Sequence, residues 1–486
     1  MSMLFDLTAT KIADLKNKVC QQLVKIGILK LILLLSFLTV IVVISIYKPI
    51  IAVIVFCLCV FLMIVVHTPS ICLFLILFTA PILNIGIMID NPVRFRPEFI
   101  SLSAGAIFFA IVMAFLQKTI FSQNQERYWK FDSAVNLLFG LFFVYGLTGL
   151  LWTADFYHGV EEIILILLSF SLLKVFPGLA NSKKTVQLLL KSVPILSIVL
   201  IGQVILSEMD PGMFKYNLEL TKGVSLITSL HVIGSGNKIR PAGFAPVNYA
   251  ANILAVLVFI HVILIYQSRW VSKIVNAFII LSLLYAILKT GSKAAVGALI
   301  IGIFCLPVIV PELRKKIIRI SFFAFILISF FVVFAGELLL KRIEAVYAGK
   351  GEGGFLSQRM EWWTTGLNNL IDTLGFGAGT GGFSKLVDPV PGAHSMYFSV
   401  IFDYGLIGSI LFFSFLGILI YRISIQLQNI SDRNLKFSAY CLFGSLVPIF
   451  IHGLVDMEFT YVMLWLILAF ILMIIKVSHE EQCKIL

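Results

Sequence analysis

The chain has 486 residues, 60% of them hydrophobic and only 13% charged, with a mean hydropathy of +1.03. A soluble domain carries about 45–50% apolar and about 25% charged residues, so the composition excludes an ordinary soluble enzyme and fits one large membrane domain over residues 1–486. The formal charge of +12 does not mark a nucleic-acid binder, because basic residues of membrane proteins gather in cytoplasmic loops and set orientation.

The polar N-terminus, Met1 to Lys25, runs straight into long apolar stretches without a small-residue cleavage site. No removable signal peptide is expected. Apolar runs long enough to cross a bilayer core of about 30 Å fall near 27–47, 49–66, 70–89, 99–116, 134–152, 160–178, 186–206, 246–266, 272–289, 294–311, 317–336, 396–420, 437–453 and 456–476. Only Lys48-Pro49 separates the first two. The expected architecture is therefore all-α and polytopic, with about 12–14 transmembrane helices. Short basic segments alternate with these spans: Lys118, Arg127 and Lys130; Lys183 and Lys184; Arg269 and Lys273; Arg314 to Lys316; Arg422, Arg433 and Lys436. Their bias places both termini in the cytoplasm. The seven cysteines avoid the outer segments and show no C-x-x-C pair or zinc spacing, so neither disulfide nor structural metal is expected.

Two outer loops are long, 207–245 and 337–395, and long loops without purpose are uncommon. In the second, Leu356, Met360, Trp363, Leu367 and Leu370 recur at helical spacing after Ser357, a candidate N-cap. This predicts an amphipathic helix, lying on the outer membrane surface or packed against the spans. A glycine run follows, Gly375-Phe376-Gly377-Ala378-Gly379-Thr380-Gly381-Gly382, and the loop ends at His394.

The run contains a literal G-x-G-x-x-G at Gly377, Gly379 and Gly382, but a dinucleotide fold is rejected, since no strand precedes it and no βαβ unit surrounds it. Two readings remain. The glycines form a flexible turn, or their N–H groups line an anion site. His394 is likewise either a hydrogen-bonded interfacial residue or a general base. Arg240, Arg359 and Lys293 border the same outer side, with Arg94 and Arg96 nearby in another loop. They are solvated boundary cations or a clamp for a phosphate or diphosphate. Few carboxylates lie mid-span: Glu162 and Asp403 sit near span ends and Asp456 close to a short outer turn. That argues against an ion-coupled pump. No D-x-D pair suggests a nucleotide-sugar metal site, and nothing compels a metal at Asp90 or Asp155. Gly405, Gly408 and Gly417 suit close helix packing.

Four segments, in this order and on one side, resemble the O-antigen ligase and O-antigen polymerase family of bacterial membrane glycosyltransferases. They are Arg240 to Asn248; Thr290 to Ala295; Arg359 with Trp362 and Leu374 to Gly379; and His394-Ser395-Met396-Tyr397 with Asp403 to Gly408. The resemblance covers about 240–408. The family usually has arginine where this chain has Lys293, which keeps the charge and loses the bidentate fork, and often asparagine where it has Ser395. The resemblance implies a GT-C-like membrane fold in the bacterial inner membrane with a periplasmic active site. The implied donor is an undecaprenyl-diphosphate-linked glycan and the acceptor a sugar hydroxyl of lipid A-core or of another lipid-linked glycan. No cofactor, metal or nucleic acid is implied. Arg240 and Arg359, with Lys293 and the N–H groups of Gly377 and Gly379, would hold the diphosphate, and His394 would take the acceptor proton. A ligase is favoured slightly over a polymerase. A lipid-linked glycan flippase would call for a repeat architecture and a polar midplane path, and no clear repeat is present. A non-catalytic relative that binds lipid-linked glycan is the remaining alternative, although the presence of Arg240, Arg359 and His394 argues against it.

Overall fold

The computed structural model describes residues 70–79, 85–89, 98–101, 107–108, 111–112, 133–180, 182–209, 217–221, 224–228, 247–316, 353–387, 393–456 and 459–485. All lie in one compact unit, Pro69–Leu486. The expected spans at 27–47, 49–66 and 317–336 fall outside the described residues, as do Arg240, Arg94, Arg96 and Asp90.

Helix α1 covers Ser70–Thr79 and is followed by strands β1, Ile85–Ile89, and β2, Glu98–Ser101. The expected span 70–89 is thus helical only in its first half. Pro81 and Gly86 disfavour continuation of a helix, and Ile85, Ile87 and Ile89 alternate with the period of a strand. The expected span 99–116 likewise opens as β2. Next come α2 (Ser133–Gly149), α3 (Phe156–Leu179), α4 (Lys183–Met209), and strands β3 (Asn217–Thr221) and β4 (Val224–Thr228). The four strands form one antiparallel sheet in the order β2-β1-β4-β3, with Ile87 opposite Leu226 and Ile100. This small sheet joins the segment after α1 to the loop 207–245. Its edges cannot sit in lipid, so it belongs outside the hydrocarbon core.

Then follow α5 (Val247–Gln267), α6 (Trp270–Thr290), α7 (Lys293–Ile309), a 3-10 turn (Pro311–Lys316), α8 (Gly353–Asp372), the short α9 (Phe383–Leu386), α10 (Met396–Gln428), α11 (Arg433–Gly444), α12 (Leu446–His452) and α13 (Val462–Ile485). Among the described residues seven segments are long and apolar enough to cross a membrane: α3, α4, α5, α6, α10, α11 with α12, and Val462–Cys483 of α13. Two shorter apolar helices, α2 and α7, accompany them. The chain is a polytopic membrane protein whose spans are all α-helical, with one small sheet outside them.

Helices α5 and α13 are nearly enclosed by their neighbours, whereas α6 turns Val271, Phe278 and Leu281 outward, as a lipid-facing helix does. Within the bundle, His261 of α5 bonds Ser197 of α4 at 2.9 Å and Asn276 of α6 at 2.7 Å. Both ring nitrogens are satisfied, which is how a buried polar group is tolerated in a bundle. Polar contacts also sort the helix ends into two sets. Lys183 pairs with Asp432, Gln267 donates to the Asn434 carbonyl at 2.9 Å, and Lys476 donates to the Pro177 carbonyl at 3.0 Å. At the opposite end Glu208 pairs with Lys289 at 2.6 Å. These sets match the ends that the charge bias assigns to one side and to the other.

Helix α10 carries the feature that organises the site. Gly405 has φ +63° and ψ −165°, a conformation essentially reserved for glycine. The kink opens one helical hydrogen bond. The Leu406 N–H donates instead to the Gly375 carbonyl at 2.8 Å, and the Phe402 carbonyl accepts from the Ala378 N–H at 2.7 Å. The glycine run thereby fills the gap in the α10 ladder. A Cβ on Gly377 would meet the Gly405 nitrogen and the Phe402 oxygen at 2.7 Å, and one on Gly405 would strike the Gly375 carbonyl and Phe376. We expect Gly405→Ala to destabilise the protein by about 1–3 kcal/mol, read as a lower unfolding temperature in detergent. Gly417→Ala, on the same helix with nothing within 4 Å of its added Cβ, should leave that temperature unchanged or raise it.

Candidate active site

The predicted amphipathic helix is α8, and one of its faces packs against the rest of the protein. Trp362 and Gly366 face the protein, where Trp362 is buried with Phe383, Ala393 and Phe402, and a Cβ on Gly366 would meet the Phe402 ring at 2.5 Å. Met360, Leu367 and Ile371 remain exposed. They recur at spacings of seven and four, one face of a helix. The protein-facing stripe is therefore displaced from the one the apolar spacing suggests, because small Gly366 allows the closest approach.

The docked helix fixes the segment that ends the loop. Trp363 Nε1 donates to the Ala393 carbonyl at 2.9 Å, and the Met396 N–H donates to the Gly453 carbonyl at 2.8 Å. Between these anchors His394 has φ +47°, a left-handed conformation that histidine visits more often than most residues. Ser395 caps α10 by accepting the Phe398 N–H at 3.4 Å.

The His394 ring stacks on Trp362, with centroids 5.4 Å apart and planes at 24°. Its Nδ1 lies 3.4 Å from Asp456 Oδ1. Asp456 is 7% exposed and also receives the side-chain amide of Asn248 from the start of α5. An ionised carboxylate only accepts hydrogen bonds, so this contact favours the tautomer with hydrogen on Nδ1 and leaves Nε2 as the basic nitrogen.

Arg359 reaches the same turn from α8. It is half-buried, and one guanidinium nitrogen donates to the Val455 carbonyl, the residue before Asp456. Burial lowers its pKa from the ordinary arginine value, and the nearby Asp456 carboxylate pulls it back up. The turn at 455–456 therefore gathers an imidazole, a carboxylate, an amide and a guanidinium from four separate segments.

The other expected residues are placed as follows. Lys293 is exposed at the first position of α7, directly after the capping residue Ser292. Gly377 has φ +77° and Gly379 has φ +82°, but both are buried. The Gly377 N–H donates to Thr373 Oγ1 at 3.0 Å, and a Cβ on Gly379 would meet the Gly149 carbonyl at 2.7 Å. Gly377 thus spends its N–H inside the protein, and the run packs between α10 and the end of α2. Arg240 lies outside the described residues.

Two participants were not legible as such. Asp456 reads in the sequence only as a carboxylate near a short outer turn, and Asn248 only as the end of a motif. Their one sequence signal is a polar group at a span end, which by itself says nothing of its partner.

The arrangement belongs to a multi-pass membrane protein with a histidine–carboxylate pair and a cation at one end of the bundle. Residues 277–413 match the family model described as O-antigen ligase. Over that stretch the chain is similar to the O-antigen ligase family. The matched stretch includes Lys293, Arg359, Gly377, Gly379, His394 and Gly405, while Asn248 and Asp456 lie outside it. No curated protein matches the sequence.

General acid–base catalysis contributes typically ~10²–10⁴-fold. Asp456→Asn and His394→Ala should each lower kcat for glycan transfer by at least about 10²-fold while the protein stays folded. The double variant should be scarcely worse than His394→Ala, because residues acting as a unit are non-additive. Independent, multiplying losses in a double-mutant cycle would refute the pairing.

Proposed function

We propose that the chain transfers a glycan from an undecaprenyl-diphosphate carrier to a sugar hydroxyl, at the periplasmic face of the bacterial inner membrane. The observation that carries this reading is the convergence of His394 and Arg359 on the turn at Val455 and Asp456. One group suits a proton, the other a diphosphate, and they share an anchor.

In this reaction the bond between the sugar and the diphosphate oxygen breaks and a new glycosidic bond forms. The acceptor hydroxyl gives its proton to His394 Nε2, and Asp456 stabilises the imidazolium through Nδ1. The leaving group departs as undecaprenyl diphosphate, its growing charge met by Arg359 and by Arg240. Lys293 adds a point charge on the same side without the planar fork of arginine. A lipid diphosphate is already a good leaving group, so this chemistry asks for no metal. The carrier enters sideways from the bilayer, past the exposed apolar face of α8. Both termini lie in the cytoplasm by the bias of basic residues.

The ligase reading, with lipid A-core as acceptor, is favoured slightly over polymerisation onto a second lipid-linked glycan. Reconstitution with a defined undecaprenyl-diphosphate glycan and both acceptors separates the two. A single added unit on lipid A-core is expected, and a ladder of products on the lipid-linked acceptor would establish the polymerase.

Hydrogen bonds to charged groups contribute about 1.5–3 kcal/mol each. Arg359→Ala and Arg240→Ala should therefore weaken donor binding at least tenfold, with Arg359→Lys recovering only part of the loss. Unchanged donor affinity in both alanine variants would remove the diphosphate clamp from the mechanism.

A further inference from the structure

Beside the His394 cluster, α3 and α10 enclose a second polar feature that the transfer chemistry does not use. It is a cavity of about 90 Å³, lined by His158, Glu161, Glu162 and Leu165 of α3, Ser399 and Asp403 of α10, and Phe459 and Thr460 before α13. Gly381 of the glycine run and Ser384 of α9 close one side.

Three observations give this cavity a ligand chemistry. Ser399 is 5% exposed, and its hydroxyl has no hydrogen-bond partner among the described residues. A buried hydroxyl without a partner is costly, so a group from outside the chain is expected to meet it. Next, Ser395, Ser399 and Asp403 are spaced i, i+4 and i+8, so they form one stripe on α10 leading inward from the cap beside His394. Ser399 is therefore only about 6 Å along the axis from that cap. Finally, the lining combines carboxylates, hydroxyls and the His158 imidazole, which lies 3.6 Å from Glu161, with the ring of Phe459. Carboxylates accept from alcohols, serine and threonine hydroxyls both donate and accept, and an aromatic face suits the C–H face of a sugar ring. Lipid chains would leave these groups unsatisfied.

We propose that this cavity is a sugar subsite, in which Ser399, Glu162 and Thr460 hold the hydroxyl-bearing edge of the glycosyl residue next to the reacting bond. The inference rests on the glycan-transfer reading above and adds to it the place where a sugar is recognised. A volume of about 90 Å³ suits a ring edge with its hydroxyls rather than several sugars. The sugar belongs to the donor or to the acceptor, and the chemistry is the same for both.

The test uses the full chain in detergent with three probes: undecaprenyl diphosphate alone, the same carrier bearing a disaccharide, and the oligosaccharide released from lipid A-core. Binding is followed by tryptophan fluorescence. Ser399→Ala removes the hydroxyl, and Ser399→Leu fills the cavity. Both variants should bind the bare carrier within twofold of wild type. Ser399→Leu should weaken one sugar-bearing probe at least tenfold and Ser399→Ala the same probe about threefold to tenfold. Loss confined to the disaccharide carrier assigns the subsite to the donor, and loss confined to the oligosaccharide assigns it to the acceptor. Unchanged affinity for both sugar probes in Ser399→Leu, with the unfolding temperature of wild type, overturns the proposal. A wild type that binds sugar probes through Ser399 yet transfers no glycan would instead sink the transfer reading and leave the subsite standing.

Discussion

The opened hydrogen bond in α10 is the constraint on which the rest of the site depends. A transmembrane helix cannot leave a backbone N–H and carbonyl unpaired in a low-dielectric surrounding, where each would cost several kcal/mol. Here the Leu406 N–H and the Phe402 carbonyl are released by the turn at Gly405 and are both taken up by the glycine run. The Asp403 carboxylate adds a third tie by accepting the Phe383 N–H at 2.8 Å. The run is thereby stitched into a span, although its composition is that of a loose loop.

This stitching sets the geometry of everything outside it. Helix α8 ends where the run begins, and α10 starts just beyond the point where the loop returns. Fixing the run against the kink in the first third of α10 therefore fixes α8 against its first turns, through Trp362, Gly366 and Phe402. Arg359 and His394, on these two helices' near ends, are then held within reach of one turn at Val455 and Asp456. Placing a catalytic group on rigid elements, with partners that fix its rotamer, is what keeps such a constellation productive. The left-handed backbone at His394 fits the same picture, since strain of this kind survives only where neighbours over-determine it.

The electrostatics are balanced in the same small region. Asp456 faces His394, Asn248 and Arg359 together, so one buried carboxylate is matched by two potential cations and an amide. Burying an unpaired charge there would be far more costly than burying this set. In the proposed transfer, these positive groups would meet the charge that develops on a diphosphate leaving group. The separate cavity between α3 and α10 is lined instead mainly by carboxylates and hydroxyls, the chemistry on which the proposed sugar subsite rests.

Much of this was legible in the residues alone, for identifiable reasons. Length and hydropathy dictate spans because a bilayer of fixed thickness demands runs of fixed length, and the observed bounds of α3, α4, α5, α6 and α7 lie within a few residues of those expected. The helical period from Leu356 to Leu370 likewise announces α8, and the polar end of the loop singles out His394. Residues 85–89 were misread because a short apolar run suits a strand and a helix equally until its hydrogen-bond partner is known. That partner, β4, lies more than a hundred residues away. Glycines can serve a ligand or a neighbouring backbone, and only the approach of α10 decides that Gly377 serves the backbone. Asp456 and Asn248 joined His394 for the same reason. A sequence fixes which groups exist and the local period that carries them, whereas a pairing between distant span ends is decided by how the helices pack.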